Sequence, residues 1–228
     1  MMNNTNTGSL VTIALPSGRL FKPIMHMMAK SDYFGTIHYD EKNDRRLIFY
    51  NENNTIRFII TKPTDNPTYV ECGVADIGIV GKDILMEKKN DVYELLDLGL
   101  GQCKIVLAAT RENETKLNQL ENRQSRKIAT KYPYISRIYC REKGINAEII
   151  KLYGSIELAP QVGLADMIID LVSTGKTLRH NNLEVIDEII PVSARLITNR
   201  ISYKTKHRVI HQITNELKKI CVINQVKT

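Results

Sequence analysis

The run MIIDLVSTGKTL, residues 167–178, joins an apolar stretch to a single acid, Asp170, and then to a small-residue loop. Ser173, Thr174, Gly175, Lys176 and Thr177 offer successive backbone N–H groups and hydroxyls, a set that suits one phosphate. Gly175-Lys176-Thr177 matches the second half of a Walker loop. Asp170 stands where that motif's first glycine belongs, so a nucleotide-hydrolysis P-loop is excluded. An acid ending a buried strand needs a partner, and the diol of a ribose supplies one. Acid plus cradle therefore fits a ribose 5-phosphate. The plain alternative is an ordinary strand-to-helix turn capped by Ser, Thr and Gly, and the loop alone does not decide between them.

Other residue types narrow the chemistry by exclusion. Cys72, Cys103, Cys140 and Cys221 lie far apart and form no C-x-x-C pair, which argues for reduced thiols rather than zinc ribbons or redox motifs. His207 and His211 stand four apart on a predicted helix, a spacing that suits zinc, but without a carboxylate or cysteine companion they read as a solvated pair. No dedicated metal site is expected. Lys and Arg total 32 against 25 Asp and Glu, a formal +7, so the partner is an anion. The chain has no Trp and no aromatic-and-basic stripe of the kind that stacks bases, which sets nucleic acid behind a small phosphorylated ligand. The opening MMNNTNTGSL is not a secretion signal, and no apolar run nears the ~18 residues of a membrane span. A cytoplasmic protein with no membrane association is expected.

The loop works only if ordered elements present it, and apolar periodicity supplies them. A strand over 11–15 stops at Pro16-Ser17-Gly18 and a helix follows over 19–30; strands over 46–50 and 55–61 flank the turn NENN. A helix ending near Gly73, a strand over 76–80 and a helix start after Gly81 come next. A second series has strands over 103–109, 127–130, 148–152 and 167–172, with helices over 135–143 and 155–164. Strands over 185–190 and 194–198 lead to a final helix over 204–222, while the charged stretch 111–126 reads as a surface excursion. Met25, Met27 and Met28 read as core filler, and Lys218-Lys219 as a helix end meeting its dipole. Alternation of helix and strand points to parallel α/β, with too many strands for one ordinary sheet. The expected architecture is two α/β lobes, 1–103 with 192–228 and 104–191, holding ligand where strands end in the cleft between them.

Further motifs stand in order with the loop: LPSGRL at 15–20, VECGVADIGIVGKD at 70–83, KIATKYP at 127–133 and GSIELAPQVGLADMIIDLVSTGKTLRHNNLEVIDEI at 154–189. Together they cover the chain from Val11 to about Tyr203, and the sequence resembles the ATP phosphoribosyltransferases, which open histidine biosynthesis. The resemblance implies that N1 of the ATP adenine displaces Mg-bound pyrophosphate from the anomeric carbon of phosphoribosyl pyrophosphate, giving N1-(5-phosphoribosyl)-ATP. It implies a two-lobed, periplasmic-binding-protein-like (type II) fold with the active site in the interlobe cleft. It also implies the short form of the family: a homodimer alone, working with a regulatory subunit that resembles histidyl-tRNA synthetase, commonly as a hetero-octamer. Mg²⁺ is then bound by substrate.

By the same resemblance, Asp170 matches the acid that holds the ribose hydroxyls, and Ser173 through Thr177 match the 5-phosphate cradle. Arg19 and Arg45 match arginines that contact pyrophosphate, a task suited to the guanidinium fork, and complete the expected catalytic set with Asp170. Ser17, Gly18, Lys62, Tyr93, Cys103 and Glu157 are further candidates for contact with ATP or pyrophosphate: many relatives carry a basic residue at Lys62 and the same acid at Glu157, and Ser17 replaces a Lys found in many of them. Each has a bland counterpart: a solvated helix-start arginine, a first-turn Glu meeting a helix dipole, a rim tyrosine, a lining thiol without a base beside it. The rivals are a non-catalytic ribose-phosphate or solute-binding module of the same fold, a type I phosphoribosyltransferase, and a basic nucleic-acid binder whose affinity falls steeply with salt. The type I loop usually follows two adjacent acids, whereas Asp170 is followed by Leu171. None of the three accounts for the other motifs.

Overall fold

The computed structural model describes residues 10–40, 44–112 and 125–225, so most of the predicted excursion at 111–126 lies outside the described residues. The chain forms two compact units: Met1–Leu85 with Lys89–Gly101 and Ser193–Thr228, and Met86–Lys88 with Gln102–Val192. In chain order the first unit contributes strands β1 (Val11–Pro16), β2 (Ile48–Tyr50), β3 (Ile56–Thr61), β4 (Ile77–Gly81) and β5 (Tyr93–Asp97). The second contributes β6 (Cys103–Thr110), β7 (Arg126–Thr130), β8 (Ala147–Lys151), β9 (Met167–Val172) and β10 (Leu183–Val192), and the chain returns to the first with β11 (Ala194–Thr198). The helices are α1 (Phe21–Met28), α2 (Asn66–Glu71), α3 (Lys82–Lys88), α4 (Pro133–Glu142), α5 (Lys176–His180), α6 (Arg200–Thr205) and α7 (His207–Gln225).

The first unit is a six-stranded sheet in the order β2-β3-β1-β4-β11-β5. Every residue of β1 is buried, because helices cover both faces of the sheet and a strand so placed must be apolar on both sides. Val11, Ile13 and Leu15 join Phe21, Ile24 and Met28 of α1 and Ile213 and Leu217 of α7 in one core. Ala14 joins Ile59, Val70, Val80 and Ile197 in another. Met27 and Met28 are buried and Met25 packs partly against them, as their spacing predicts. The second unit is a five-stranded sheet, β10-β6-β9-β7-β8. Ile128 and Ile169 face Ile135 and Tyr139 of α4; Ala129 and Ile168, one residue along, face Ile156 and Leu178.

Four expectations are corrected. Both sheets are mixed rather than parallel: β2 runs antiparallel to β3, β11 to β4 and β5, and β6 to β9 and β10. The five-residue connection from Asn51 to Thr55 can only return a strand antiparallel. The helix expected over 155–164 is a single 3-10 turn, Ile156–Leu158, because Pro160 has no N–H to continue it and Gly163 turns left-handed at φ +71°. Strand β5 was not expected; it is a sheet edge, and its exposed pattern hides the usual alternation. The last helix is two, broken at Lys206, and α7 runs on to Gln225, so Lys218 and Lys219 lie inside it, with Lys219 paired to Glu216 at 2.6 Å.

Asp76, 6 % exposed, ties the start of the first sheet to the C-terminal helices. Its Oδ2 accepts the Thr12 N–H at 2.9 Å and pairs with Lys206 Nζ at 2.8 Å, while Oδ1 accepts the Ser202 hydroxyl at 2.7 Å. Among the described residues no helix is long and apolar enough to cross a membrane.

Candidate functional site

In the second unit, β9 carries Asp170 half-buried near its carboxyl end, with Oδ1 accepting the backbone N–H of Leu171 at 2.8 Å. The chain then turns through Ser173 and Thr174 to Gly175, whose φ of +70° is the left-handed value that glycine adopts without strain. Left-handed Gly175 followed by the right-handed start of α5 is the backbone pattern from which anion-holding nests are built, and the Lys176 N–H there lies 3.5 Å from Thr174 Oγ1. Arg179 braces the turn: its backbone N–H donates to Gly175 O at 3.1 Å and its Nη2 to Thr174 O at 3.1 Å.

Side chains alternate along β9, so Asp170 shares a face with Ile168, the face on which Ile156 and Leu178 pack. The turn carrying Glu157 is therefore brought to Asp170's side of the sheet. On β6, antiparallel register sets Lys104 opposite Val172, which leaves Cys103 level with Ser173. Cys103, Ser173, Val172, Ile190 and the Lys104–Glu188 ion pair line a groove of about 440 Å³ next to the loop.

In the first unit, β1 and β3 are parallel with Pro16 beside Thr61. Ser17 N–H extends that ladder to Thr61 O at 2.8 Å, Gly18 turns at φ +81°, and its carbonyl accepts the Phe21 N–H at 3.0 Å, which leaves Arg19 exposed at the tip. Lys62 follows Thr61 directly, and its carbonyl starts α2 by accepting the N–H groups of Asp65 and Asn66. On the other side, Ile60 N–H donates to Leu47 O at 2.8 Å, so Arg45 enters β2 at the same sheet end. Ser17, Gly18, Arg19, Lys62 and Arg45 are thus gathered on three adjacent strands from three separate stretches of sequence.

Tyr93 is not with them. Thr198 pairs with both Ile77 and Tyr93, so Tyr93 sits level with the start of β4 rather than its end, about 13 Å away along the strands. There the Arg200 guanidinium stacks 5.1 Å above its ring and Tyr203 meets it edge-on at 5.4 Å. His207 and His211 are exposed and stack on each other, their ring centroids 5.7 Å apart.

Two supporting residues escape a reading of the sequence. Asn66, fully buried, donates from Nδ2 to Thr61 Oγ1 at 3.1 Å, and Thr61 in turn donates to Leu15 O, stapling the strand ends that carry Ser17 and Lys62. Asp76 lies in a motif of the family resemblance yet serves the opposite end of the sheet. A buried acid at the start of a strand, with no glycine-rich loop after it, is the available signal.

The family described as "HisG: ATP phosphoribosyltransferase" matches residues 62–219. An ATP phosphoribosyltransferase of Thermoanaerobacter sp. (strain X514) is 48% identical over 210 residues, spanning 92% of this chain and 95% of that protein. One from Geobacter metallireducens is 47% identical over 216 residues, spanning 92% and 97%. Among solved structures, a chain of the "ATP phosphoribosyl transferase (HisG:HisZ) complex from Thermotoga maritima" superposes with a TM-score of 0.77 at 32% identity, covering 93% of this chain and 98% of that one. A likeness of this extent on these two mixed sheets makes the chain a pentosyl-transferring enzyme of the periplasmic-binding-protein-like type II fold. It belongs to the ATP phosphoribosyltransferase family.

Proposed function

We infer that the chain catalyses the first step of histidine biosynthesis, transferring a phosphoribosyl group from phosphoribosyl pyrophosphate to N1 of ATP with release of pyrophosphate. The observation that carries the assignment to particular residues is Asp170 held three residues ahead of a loop that Gly175 turns into an anion-binding concavity. Asp170 takes the ribose hydroxyls and the loop from Ser173 to Thr177 takes the 5-phosphate. The adenine N1 is a weak nucleophile and the anomeric carbon becomes cationic as pyrophosphate leaves, so alignment and charge stabilisation supply most of the rate. Asp170 stabilises the cationic carbon; Arg19, Arg45 and Lys62 neutralise the departing phosphates, with Ser17 and Gly18 shaping the turn. Cys103 and Glu157 line the approach to the ribose. Tyr93 has no part in this assignment.

Mg²⁺ enters as part of the substrate, on pyrophosphate oxygens, as it commonly does. The relative from Thermotoga maritima is in a HisG:HisZ complex, and this reading extends to a regulatory partner resembling histidyl-tRNA synthetase, in a hetero-octamer, with a homodimer in its absence. A cytoplasmic location belongs to the same reading. Mixing the purified chain with ATP, phosphoribosyl pyrophosphate, Mg²⁺ and pyrophosphatase should raise the ultraviolet absorbance of phosphoribosyl-ATP. Absence of product, with the synthetase-like subunit also present, refutes the assignment.

A further inference from the structure

One cation near Asp170 has no role in the assignment above. Strands β7 and β9 are parallel neighbours with Ala129 beside Ile168 and Thr130 beside Ile169; β7 ends there, and Lys131 is the first residue past it, at the end of the strand next to the one that carries Asp170. The turn that carries Lys131 is locked. Thr130, fully buried, accepts the Tyr132 N–H on Oγ1 at 2.9 Å, and its carbonyl accepts the Leu152 N–H at 2.9 Å. The Ser136 hydroxyl donates to Tyr132 O at 2.7 Å and lies 3.3 Å from Thr130 Oγ1. Tyr132 is buried as well, so Lys131 is the side chain this turn presents to solvent. Thr130 points to Ser136 on α4, away from the face Asp170 shares with Ile168, and the exposed Lys131 follows it in the bend that leads to α4.

We propose that Lys131 binds the pyrophosphoryl group of phosphoribosyl pyrophosphate and stabilises it as it leaves. The inference rests on the ribose reading of Asp170. In the α-configured donor the pyrophosphate lies on the same face of the ribose ring as the two ring hydroxyls. A cation beside the carboxylate that takes those hydroxyls is therefore on the leaving group's side. As N1 of adenine bonds to the anomeric carbon from the other face, the carbon–oxygen bond breaks and its electron pair goes to pyrophosphate. The Lys131 ammonium meets the charge that grows on that oxygen. The locked turn fixes the backbone from which the ammonium reaches, so part of the ordering cost is met before the substrate arrives.

The test compares Lys131→Met, Lys131→Arg and Asp170→Asn with the unaltered chain, measuring binding of phosphoribosyl pyrophosphate, Mg-pyrophosphate and ribose 5-phosphate by calorimetry, together with kcat and KM. Lys131→Met should weaken the two pyrophosphate-bearing ligands about tenfold or more, the size of one charge-assisted hydrogen bond, and leave ribose 5-phosphate unchanged; Lys131→Arg should restore much of the loss. Unchanged pyrophosphate affinity in Lys131→Met overturns the proposal, and so does an equal loss for ribose 5-phosphate, which would mark a general disturbance of the loop. Should Asp170→Asn leave ribose 5-phosphate binding intact, the reading of Asp170 fails first and takes this inference with it.

Discussion

Replacing Gly175 by Ala tests the phosphate loop through a cost that can be worked from its geometry. At φ +70° an L-residue is in the left-handed region, which costs an alanine about 1–2 kcal/mol relative to its preferred backbone. The new Cβ would also lie 3.2 Å from Arg179 Nη1, close enough to push the guanidinium off Thr174 O. Gly144, at φ +68° with no atom near its would-be Cβ, provides a matched control. Both alanine variants should lose about 1–2 kcal/mol, a fall of about 2–8 °C in melting temperature for a chain of this size. Only Gly175→Ala should raise KM for phosphoribosyl pyrophosphate, by about tenfold, because relief of the strain moves the N–H groups away from the phosphate. KM for ATP should hold. An unchanged phosphoribosyl pyrophosphate KM in Gly175→Ala, or an equal rise in Gly144→Ala, refutes the reasoning.

Other consequences follow from groups outside the loop. Asp76→Ala leaves the buried Thr12 N–H without an acceptor and Lys206 without its anion, so it should cost about 3 kcal/mol in urea unfolding followed by tyrosine fluorescence; a loss below about 1 kcal/mol would mean the network contributes little. Asn66→Val removes the buried hydrogen bond from Nδ2 to Thr61 Oγ1 that staples the strand ends and should destabilise by about 1 kcal/mol; an unchanged or higher melting temperature counts against it. The hydrogen bonds from Lys143 and Tyr139 hold the Asp187 carboxyl below the usual carboxylate range. A depressed folded-state value means stability that is present above the unfolded value of about 3.9 and is lost as pH falls through the folded one. Asp187→Asn should therefore flatten the acid side of a stability-against-pH curve, and an unchanged acid limb would dismiss the cluster as a contributor.

Much of the site was legible because chemistry and local backbone coincide there. Asp170, the small-residue loop and Gly175 are neighbours in sequence, and the turn they make is set by residue type: an acid at a strand's end, hydroxyls for an anion, a glycine where φ must be positive. The same holds for Ser17-Gly18-Arg19, where proline and glycine stop one strand and start one helix. The paper helix over 155–164 shows the limit of periodicity, since its apolar spacing is real but Pro160 and Gly163 veto the hydrogen bonds it needs. Strand β5 was illegible for the opposite reason: an edge strand buries too little of either face to alternate.

The sequence by itself determined which residue types were available, where the backbone could turn left-handed, and which runs had to be buried. Only the tertiary structure decided who meets whom. Arg45, Lys62 and Arg19 share a sheet end because β2 pairs antiparallel and β1 parallel to β3. Lys131 ends up at the strand next to the one that carries Asp170 because β7 and β9 pair although some 40 residues apart in the chain. Tyr93 is set at the opposite end of the sheet by the pairing of β11 with β4 and β5. Strand partner and register follow from the joint burial of two faces over the whole sheet, a many-body condition that no local stretch of residues encodes.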